Sequence, residues 1–167
     1  LRRVMTVAVY PGTFDPFTNG HLDIVEKALR IFDEVVVAIG HNAGKKHLFP
    51  LEKRLEWIKL VFKDEPRITV ESYSGLTSKF CRSVNAGFIV RGLRTIYDFE
   101  YEKQIARVNE HQNPEMMNVF LISDENVSSV SSTIVRDLIV YNGDYQSFIP
   151  KQIVIDIKPF LSMDKSQ

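Results

Sequence analysis

Residues 9–21 (VYPGTFDPFTNGH) join two segments with different hydrophobic periods. Before this stretch, residues 4–10 are almost continuously apolar and rich in β-branched side chains, which is typical of a strand buried on both faces. After it, apolar residues from Leu22 to Phe32 recur at the spacing of one helical face, with charged residues between them. The sequence therefore predicts a strand, a tight turn and a helix.

The same alternation of strand and helix patterns continues along the chain. Strands are predicted at residues 34–40, 67–73, 88–90 and 118–122, and helices at residues 51–62, 77–86, 96–113 and 131–142. The segment after Pro150 is β-branched like a strand, but a proline at its start favours a helix, and we expect a short helix there. Regular alternation indicates an α/β fold: a single doubly wound, Rossmann-like domain over residues 1–167, with a parallel sheet of about five strands and helices on both faces.

Composition excludes several classes of partner. The 167 residues include 21 basic and 21 acidic side chains, so no overall positive field exists to attract nucleic acid or an anionic membrane. The apolar N-terminal run stops at Pro11 without a cleavage site, and no run approaches the roughly 20 apolar residues that a membrane span needs. The single cysteine, Cys81, lies in an apolar helical pattern and is predicted to be a buried thiol. We expect a cytoplasmic protein.

Two features of the second predicted helix are interpreted structurally. Its polar positions, which include Glu52, Lys53, Arg54 and Lys59, are expected to form a solvated face. Trp57 lies beside the apolar stripe and is expected in the core or at an interface.

The turn at residues 9–21 has the properties of a ligand site. In an open parallel sheet, ligands bind at the carboxyl ends of the strands, where the strand order reverses. Gly12 allows close backbone approach, and Asn19 is a suitable N-cap, which puts His21 in the first helical turn. Unpaired amides and the helix dipole attract phosphate there. The alternative is a plain capped turn with a solvated histidine.

Other predicted strand ends carry phosphate-binding side chains as well. Lys45 and Lys46 follow the second strand, Arg91 and Arg94 follow the fourth, and a hydroxyl-rich segment at residues 128–133 follows the fifth. Their convergence on one edge predicts a site for several phosphates. GxxxxGK[ST] and GxGxxG are absent, and no zinc spacing or nucleophilic triad is indicated. Phosphoryl and nucleotidyl transfer fit, because positioning and charge stabilisation suffice for them.

The motifs also carry a family resemblance. Residues 18–21 (TNGH) resemble the T/HxGH signature of the nucleotidyltransferase superfamily. The turn at residues 10–21, RGLR at 91–94, DFEYE at 98–102 and VSST at 130–133 resemble, in order and spacing, the blocks of bacterial phosphopantetheine adenylyltransferases. The resemblance covers nearly the whole chain. It implies transfer of AMP from ATP to 4'-phosphopantetheine, giving dephospho-coenzyme A and pyrophosphate without a covalent enzyme intermediate.

By that resemblance, His21 would stabilise the transition state. The implied catalytic residues are His21, Thr13, Lys45 and Arg91. The implied phosphopantetheine-binding residues are Thr13, Lys45, Leu76, Thr77 and Arg91. The implied ATP-binding residues are Thr13, Phe14, His21, Gly92, Leu93, Arg94, Glu102, Val127, Ser128, Ser129, Val130, Ser131, Ser132 and Thr133. Mg²⁺ would arrive with ATP rather than on protein side chains. A hexamer and feedback binding of coenzyme A are also implied.

Three positions depart from the family pattern. Thr133 replaces a serine but keeps the hydroxyl, Thr77 is more polar than the usual residue, and Val127 replaces a position that is often aromatic. Three other readings stay open. The chain could be a nucleotidyltransferase of the same fold with another acceptor, such as nicotinamide mononucleotide or glycerol phosphate. It could also be a non-catalytic nucleotide or coenzyme A binding module, or a flavodoxin-like electron carrier.

Overall fold

The computed structural model describes residues 4–41, 44 and 46–164, and Lys45 lies outside this range. The strands are β1 (Val7–Gly12), β2 (Glu34–His41), β3 (Ile68–Ser74), β4 (Phe88–Leu93) and β5 (Met117–Ile122). The helices are α1 (Asn19–Ala28), α2 (Leu51–Val61), α3 (Thr77–Ser83), α4 (Ile96–Gln112), α5 (Glu125–Ser128), α6 (Ser132–Val140) and α7 (Lys151–Asp164), with a 3-10 helix at Gln146–Phe148. Among the described residues, no helix is long and apolar enough to cross a bilayer.

The five strands form one parallel sheet in the order β3-β2-β1-β4-β5. The chain moves from β1 through β2 to β3 on one side, and then returns to add β4 and β5 on the other. The strand order therefore reverses between β1 and β4, which is where an open sheet of this kind binds ligands. The predicted α/β architecture with about five parallel strands is confirmed.

Helices cover both faces of the sheet, and alternate strand residues are therefore buried in two separate hydrophobic clusters. Tyr10 and Val37 belong to a cluster with residues of α1, α2, α6 and α7. Val9 and Ala38 belong to a second cluster with Cys81 of α3. Cys81 and Trp57 are both buried, as predicted, at 0% and 1% exposure. Burial raises the pKa of the Cys81 thiol to about 11.

Several element boundaries differ from the prediction. β1 starts at Val7, since Val4 and Met5 are exposed. β4 continues to Leu93, so Arg91 lies inside the strand, where it pairs with Phe120 of β5. Helix α5 was not predicted, because four residues are too short to show a helical period. The segment after Pro150 is a helix, as expected, but with 14 residues it is longer than the short helix that was predicted.

The start of α1 also differs from the prediction. The N-cap is Thr18 rather than Asn19. The Thr18 hydroxyl accepts a hydrogen bond from the His21 amide, and the His21 side chain accepts one from the Thr18 amide, which completes a capping box. Asn19 is then the first helical residue, and its side chain donates to the Ser147 carbonyl at 3.0 Å. His21 still lies in the first turn, as predicted.

Candidate active site

A cavity of about 290 Å³ opens at the carboxyl ends of β1 and β4. Its walls come from the turn after β1, the first turns of α1 and α4, the end of β4 and the start of α6. The lining residues are Tyr10, Pro11, Gly12, Phe14, Gly20, His21, Ile24, Arg91, Gly92, Arg94, Asp98, Glu102, Ser123, Val130, Ser131, Ser132 and Thr133. The cavity thus lies at the reversal of strand order, where the sequence predicted a site.

The histidine in this cavity is held by the cap of α1 and by aromatic rings. Its Nδ1 accepts a hydrogen bond from the Thr18 amide at 3.0 Å. The Phe14 ring meets the imidazole edge-on at 4.9 Å between centroids, and the Phe17 ring lies at 5.4 Å. Since Nδ1 is an acceptor, the neutral imidazole carries its proton on Nε2. His21, which is half-buried, therefore presents an Nε2–H donor in its neutral form, and its ring is held by the cap and by the aromatic contacts.

The environment of His21 strongly disfavours its protonated form. Burial is the larger cause and the positive charge of Arg94 is the second, and together they lower the pKa of His21 to about 3. The imidazole consequently stays neutral throughout the physiological pH range.

Arg91 on β4 and Arg94, which directly follows this strand, face two carboxylates on α4. Arg91 Nη1 lies 3.2 Å from Glu102 Oε2, and the Arg94 guanidinium lies 3.3 Å from the Asp98 carboxylate. Burial raises the pKa of Glu102, although Arg91 opposes this effect. Burial acts on Asp98 in the same direction, but hydrogen bonds from the Arg94 amide and guanidinium outweigh it and lower the pKa of Asp98. Both arginines are thereby held at the cavity wall.

The hydroxyl-rich segment is fixed by its own hydrogen bonds. Ser131 caps α6 by accepting from the Ile134 amide at 3.2 Å. Ser132 Oγ donates to the Pro16 carbonyl at 2.9 Å. Gly20 allows this segment to approach α1, because a β-carbon at that position would lie 3.3 Å from the Val130 carbonyl oxygen.

The turn after β1 is anchored by buried polar groups. Asp15 is 3% exposed, and its carboxylate accepts from the amides of Leu48 and Phe49 at 2.8 and 2.9 Å. Arg54 is 2% exposed and donates to the Thr13 carbonyl at 2.7 Å. The predicted solvated position of Arg54 is therefore wrong. The hydrophobic period assigned it to a polar face, but that face meets the main chain of the turn.

The cavity brings together many of the predicted site residues. Those that line it are Phe14, His21, Arg91, Gly92, Arg94, Glu102, Val130, Ser131, Ser132 and Thr133. Other described candidates lie outside the lining: Thr13, Leu76, Thr77, Leu93, Val127, Ser128 and Ser129. Thr13 is exposed beside the cavity, and Thr77 starts α3, where its hydroxyl lies 2.8 Å from that of Tyr73. Lys45 lies outside the described residues, and its neighbour Lys46 is exposed.

Sequence reasoning missed part of the lining. The lining residues that were not named as site candidates are Tyr10, Pro11, Gly12, Gly20, Ile24, Asp98 and Ser123. The first four belong to the turn at residues 9–21 that was predicted as a ligand site, whereas the last three lie outside it. Asp98 could have been found, because it opens the DFEYE block and lies four residues before Glu102, on the same helical face. Ile24 gave no such signal, since an apolar residue on α1 is expected in the core.

The two carboxylates of α4 that line the cavity, Asp98 and Glu102, are both paired with arginines. Within the described residues, no group of three histidine, cysteine or acidic side chains could hold an ion.

Comparison with known proteins gives the family. The cytidylyltransferase-like family model matches residues 9–138. Phosphopantetheine adenylyltransferase of Bacteroides fragilis is 52% identical over 88% of this chain and 97% of its own, and that of Christiangramia forsetii is 47% identical over 87% and 96%. The chain belongs to the phosphopantetheine adenylyltransferase family. It is an enzyme, a nucleotidyltransferase, and the family places it in coenzyme A biosynthesis.

A solved structure agrees on the fold. The bifunctional NMN adenylyltransferase/ADP ribose pyrophosphatase from Francisella tularensis has a TM-score of 0.67 and 17% sequence identity to this chain, and the match covers 87% of this chain and 45% of that one. At this identity the likeness concerns the fold alone. The likeness agrees with the Rossmann-like α/β fold of this chain.

Proposed function

We propose that this enzyme transfers AMP from MgATP to the phosphate of 4'-phosphopantetheine and so produces dephospho-coenzyme A and pyrophosphate. The observation that carries this proposal is the neutral His21 beside two arginines in a cavity at the reversal of strand order. The identity of the two substrates is taken from the family to which the chain belongs. Such a site provides hydrogen-bond donors and positive charge for phosphate oxygens.

In the proposed reaction, a phosphate oxygen of 4'-phosphopantetheine attacks the α-phosphorus of ATP in line. A new oxygen–phosphorus bond forms, the bond between the α-phosphorus and the bridging oxygen breaks, and pyrophosphate leaves with the electron pair. His21 Nε2–H donates to an α-phosphate oxygen, where negative charge is most crowded in the transition state. Mg²⁺, when bound, neutralises charge on the triphosphate.

The arginines would divide the phosphates between them. Arg91 and Lys45 hold the attacking phosphate, whereas Arg94 holds the departing pyrophosphate together with the hydroxyls of the α6 start. The ion pair between Arg91 and Glu102 supports this role, because it keeps the guanidinium at the cavity wall before substrate binds. Thr13 orients both substrates from the cavity rim. Leu76 and Thr77, at the carboxyl end of β3, contact the pantetheine arm.

The nucleotide would lie along the remaining candidate residues. The ATP site is bordered by the main chain of Gly92 and Leu93 and by the ring of Phe14. Glu102 also contacts ATP in this proposal. The remaining proposed ATP-binding residues are Val127, which lies on the adenine side, and Ser128, Ser129, Val130, Ser131, Ser132 and Thr133, of which Ser129 to Thr133 hold the departing pyrophosphate. This assignment is supported by residues 130–133 of the segment, which line the cavity.

The test is pyrophosphate release from MgATP with three acceptor conditions: 4'-phosphopantetheine, nicotinamide mononucleotide, or none. We expect release only with 4'-phosphopantetheine, and a product whose mass equals that of dephospho-coenzyme A. Release with nicotinamide mononucleotide instead would keep the chemistry and replace the acceptor, while no release with either would refute the enzymatic proposal. His21→Ala should lower kcat about 100- to 1,000-fold, the usual cost of one donor to a developing charge, with KM nearly unchanged.

The oligomeric state belongs to the same proposal. Large apolar side chains on α4 are exposed, among them Ile96 at 81% and Tyr97 at 87%. Such surfaces are typical of subunit contacts, which supports the hexamer that the family implies. Light scattering of the purified enzyme should give six times the chain mass of 19.2 kDa, and a monomer would refute this part. We further propose a cytoplasmic location, and coenzyme A as a feedback inhibitor that competes with 4'-phosphopantetheine.

A further inference from the structure

Three side chains from two helices hold the main chain of the turn after β1. Arg54 of α2 donates to the Thr13 carbonyl at 2.7 Å, and Arg136 of α6 donates to the Asp15 carbonyl at 2.8 Å. Ser132 donates to the Pro16 carbonyl at 2.9 Å. The turn after β1, residues 13–18, is called the β1–α1 loop below. Three main-chain carbonyls in this loop thus accept hydrogen bonds from side chains that are distant in sequence. Hydrogen bonds from guanidinium are stronger than those between neutral groups.

The residue between the two arginine-bound carbonyls has a strained backbone. Phe14 has φ +49°, in the left-handed region that residues other than glycine rarely adopt. This conformation places its ring edge-on to His21. The ring also lies against Gly12, where a β-carbon would be only 2.7 Å from it. The orientation of the catalytic imidazole therefore depends on a strained residue that needs external support.

Arg54 cannot be explained as core packing. A buried charge is costly unless hydrogen bonds compensate it, and an apolar side chain would fill the same space without that cost. Its Nε donates to the Phe49 carbonyl at 3.0 Å, while its Nη1 donates to Thr13. One guanidinium fork therefore links the segment before α2 to the β1–α1 loop. Lysine lacks this fork and cannot reproduce both contacts in the same geometry.

We propose that Arg54 and Arg136 are positioning residues for adenylyl transfer. They hold Thr13 and Phe14 in place and, through the Phe14 ring, hold the imidazole of His21. Neither arginine lines the cavity. They act on the geometry of the reacting groups and leave the proposed phosphate-binding arginines, Arg91 and Arg94, unchanged. This inference rests on the proposed adenylyl transfer to 4'-phosphopantetheine.

The test compares steady-state kinetics of the full-length enzyme and its variants. Arg54→Ala should lower kcat roughly 10- to 100-fold, since a displacement of about 1 Å can have this effect, while KM for MgATP changes less than about threefold. Millimolar guanidinium should restore part of the lost kcat, whereas ethylammonium at equal concentration should not. Arg54→Lys should recover only part of it. Arg136→Ala should lower kcat and also raise KM for MgATP, because Arg136 donates to the Thr133 hydroxyl as well.

Two arginines serve as matched controls. Arg67 and Arg82 each donate to a main-chain carbonyl outside the cavity, those of Leu29 and Gln112, both at 3.1 Å. Arg67→Ala and Arg82→Ala should keep the wild-type kcat. The folded fraction of every variant is measured from the fluorescence of Trp57, the single tryptophan, which lies one turn after Arg54.

The outcomes separate this proposal from the proposed function. An inactive wild-type enzyme refutes adenylyl transfer itself. An active wild-type enzyme with unchanged kcat in the Arg54 and Arg136 variants refutes the positioning role alone. A loss of kcat that only follows the folded fraction, without rescue by guanidinium, also refutes it. If Arg54→Ala does not fold, Arg54→Lys and Arg136→Ala decide the question by the same criteria.

Discussion

The depressed pKa of His21 predicts how the stability of the enzyme depends on pH. The perturbation is His21→Gln, because glutamine is a usual partner at this position of a capping box and does not titrate. In the wild type, the imidazole is neutral in the fold down to a pKa of about 3, whereas in the unfolded chain it binds a proton below about pH 6.5. The unfolded state thus binds more protons at acidic pH. Stability is complete above pH 6.5 and is lost as the pH falls toward 3.

The magnitude follows from the two pKa values. At pH 5 the pH is about 1.5 units below the pKa of the His21 imidazole in the unfolded chain. Protonation of the unfolded chain therefore lowers the free energy of unfolding by about 2 kcal/mol compared with pH 7. His21 is only half-buried and its imidazole lines the cavity, where water screens part of the charge. We therefore expect the wild type to lose about 1 to 2 kcal/mol more than His21→Gln between pH 7 and pH 5.

The assay is urea unfolding at both pH values, followed by the fluorescence of Trp57 at one protein concentration. Other titrating groups contribute equally to both proteins and cancel in the difference. His111→Gln is the control for the substitution itself, because it makes the same exchange at an exposed position of α4. Equal losses in the wild type and in His21→Gln would show that the imidazole protonates freely in the fold, which would refute its assignment as a fixed neutral donor.

Three further predictions concern the binding of substrate, the β1–α1 loop and the core. Arg91→Ala should raise KM for 4'-phosphopantetheine at least about tenfold and leave KM for MgATP nearly unchanged; a selective loss of ATP affinity would overturn this assignment. Gly12→Ala should destabilise the enzyme by about 1 to 3 kcal/mol in urea unfolding, because the added methyl group meets the Phe14 ring. Cys81 should react with a disulfide reagent at pH 8 far more slowly in the native enzyme than in urea, and equal rates would contradict its burial.

The fold was predictable because strand and helix periods alternate without interruption. The apolar run before Pro11 and the helical spacing after Leu22 define a strand and a helix, and the turn between them necessarily lies at a carboxyl end. Repeating this argument along the chain placed Arg91, Arg94 and the segment at 128–133 at the same edge. The sequence therefore predicted the position of the cavity and many of its lining residues.

The sequence could not predict contacts that depend on tertiary structure. Arg54 and Thr13 are 41 residues apart, and no local pattern indicates that one donates to the other. Thr18 and Asn19 are both good N-cap residues, and the choice of Thr18 depends on the histidine that completes the capping box. The neutral state of His21 likewise depends on burial among rings, including that of Phe17, which only the folded chain brings together.

The exchange of labelled pyrophosphate into ATP tests the central claim most directly, with the purified enzyme, MgATP and pyrophosphate, in the presence and absence of 4'-phosphopantetheine. Direct transfer to the acceptor predicts that label enters ATP only when 4'-phosphopantetheine is present, because the reverse reaction needs dephospho-coenzyme A. Exchange with MgATP alone would reveal a covalent adenylyl-enzyme and contradict the direct mechanism. The absence of exchange with 4'-phosphopantetheine present would contradict the proposed reaction itself.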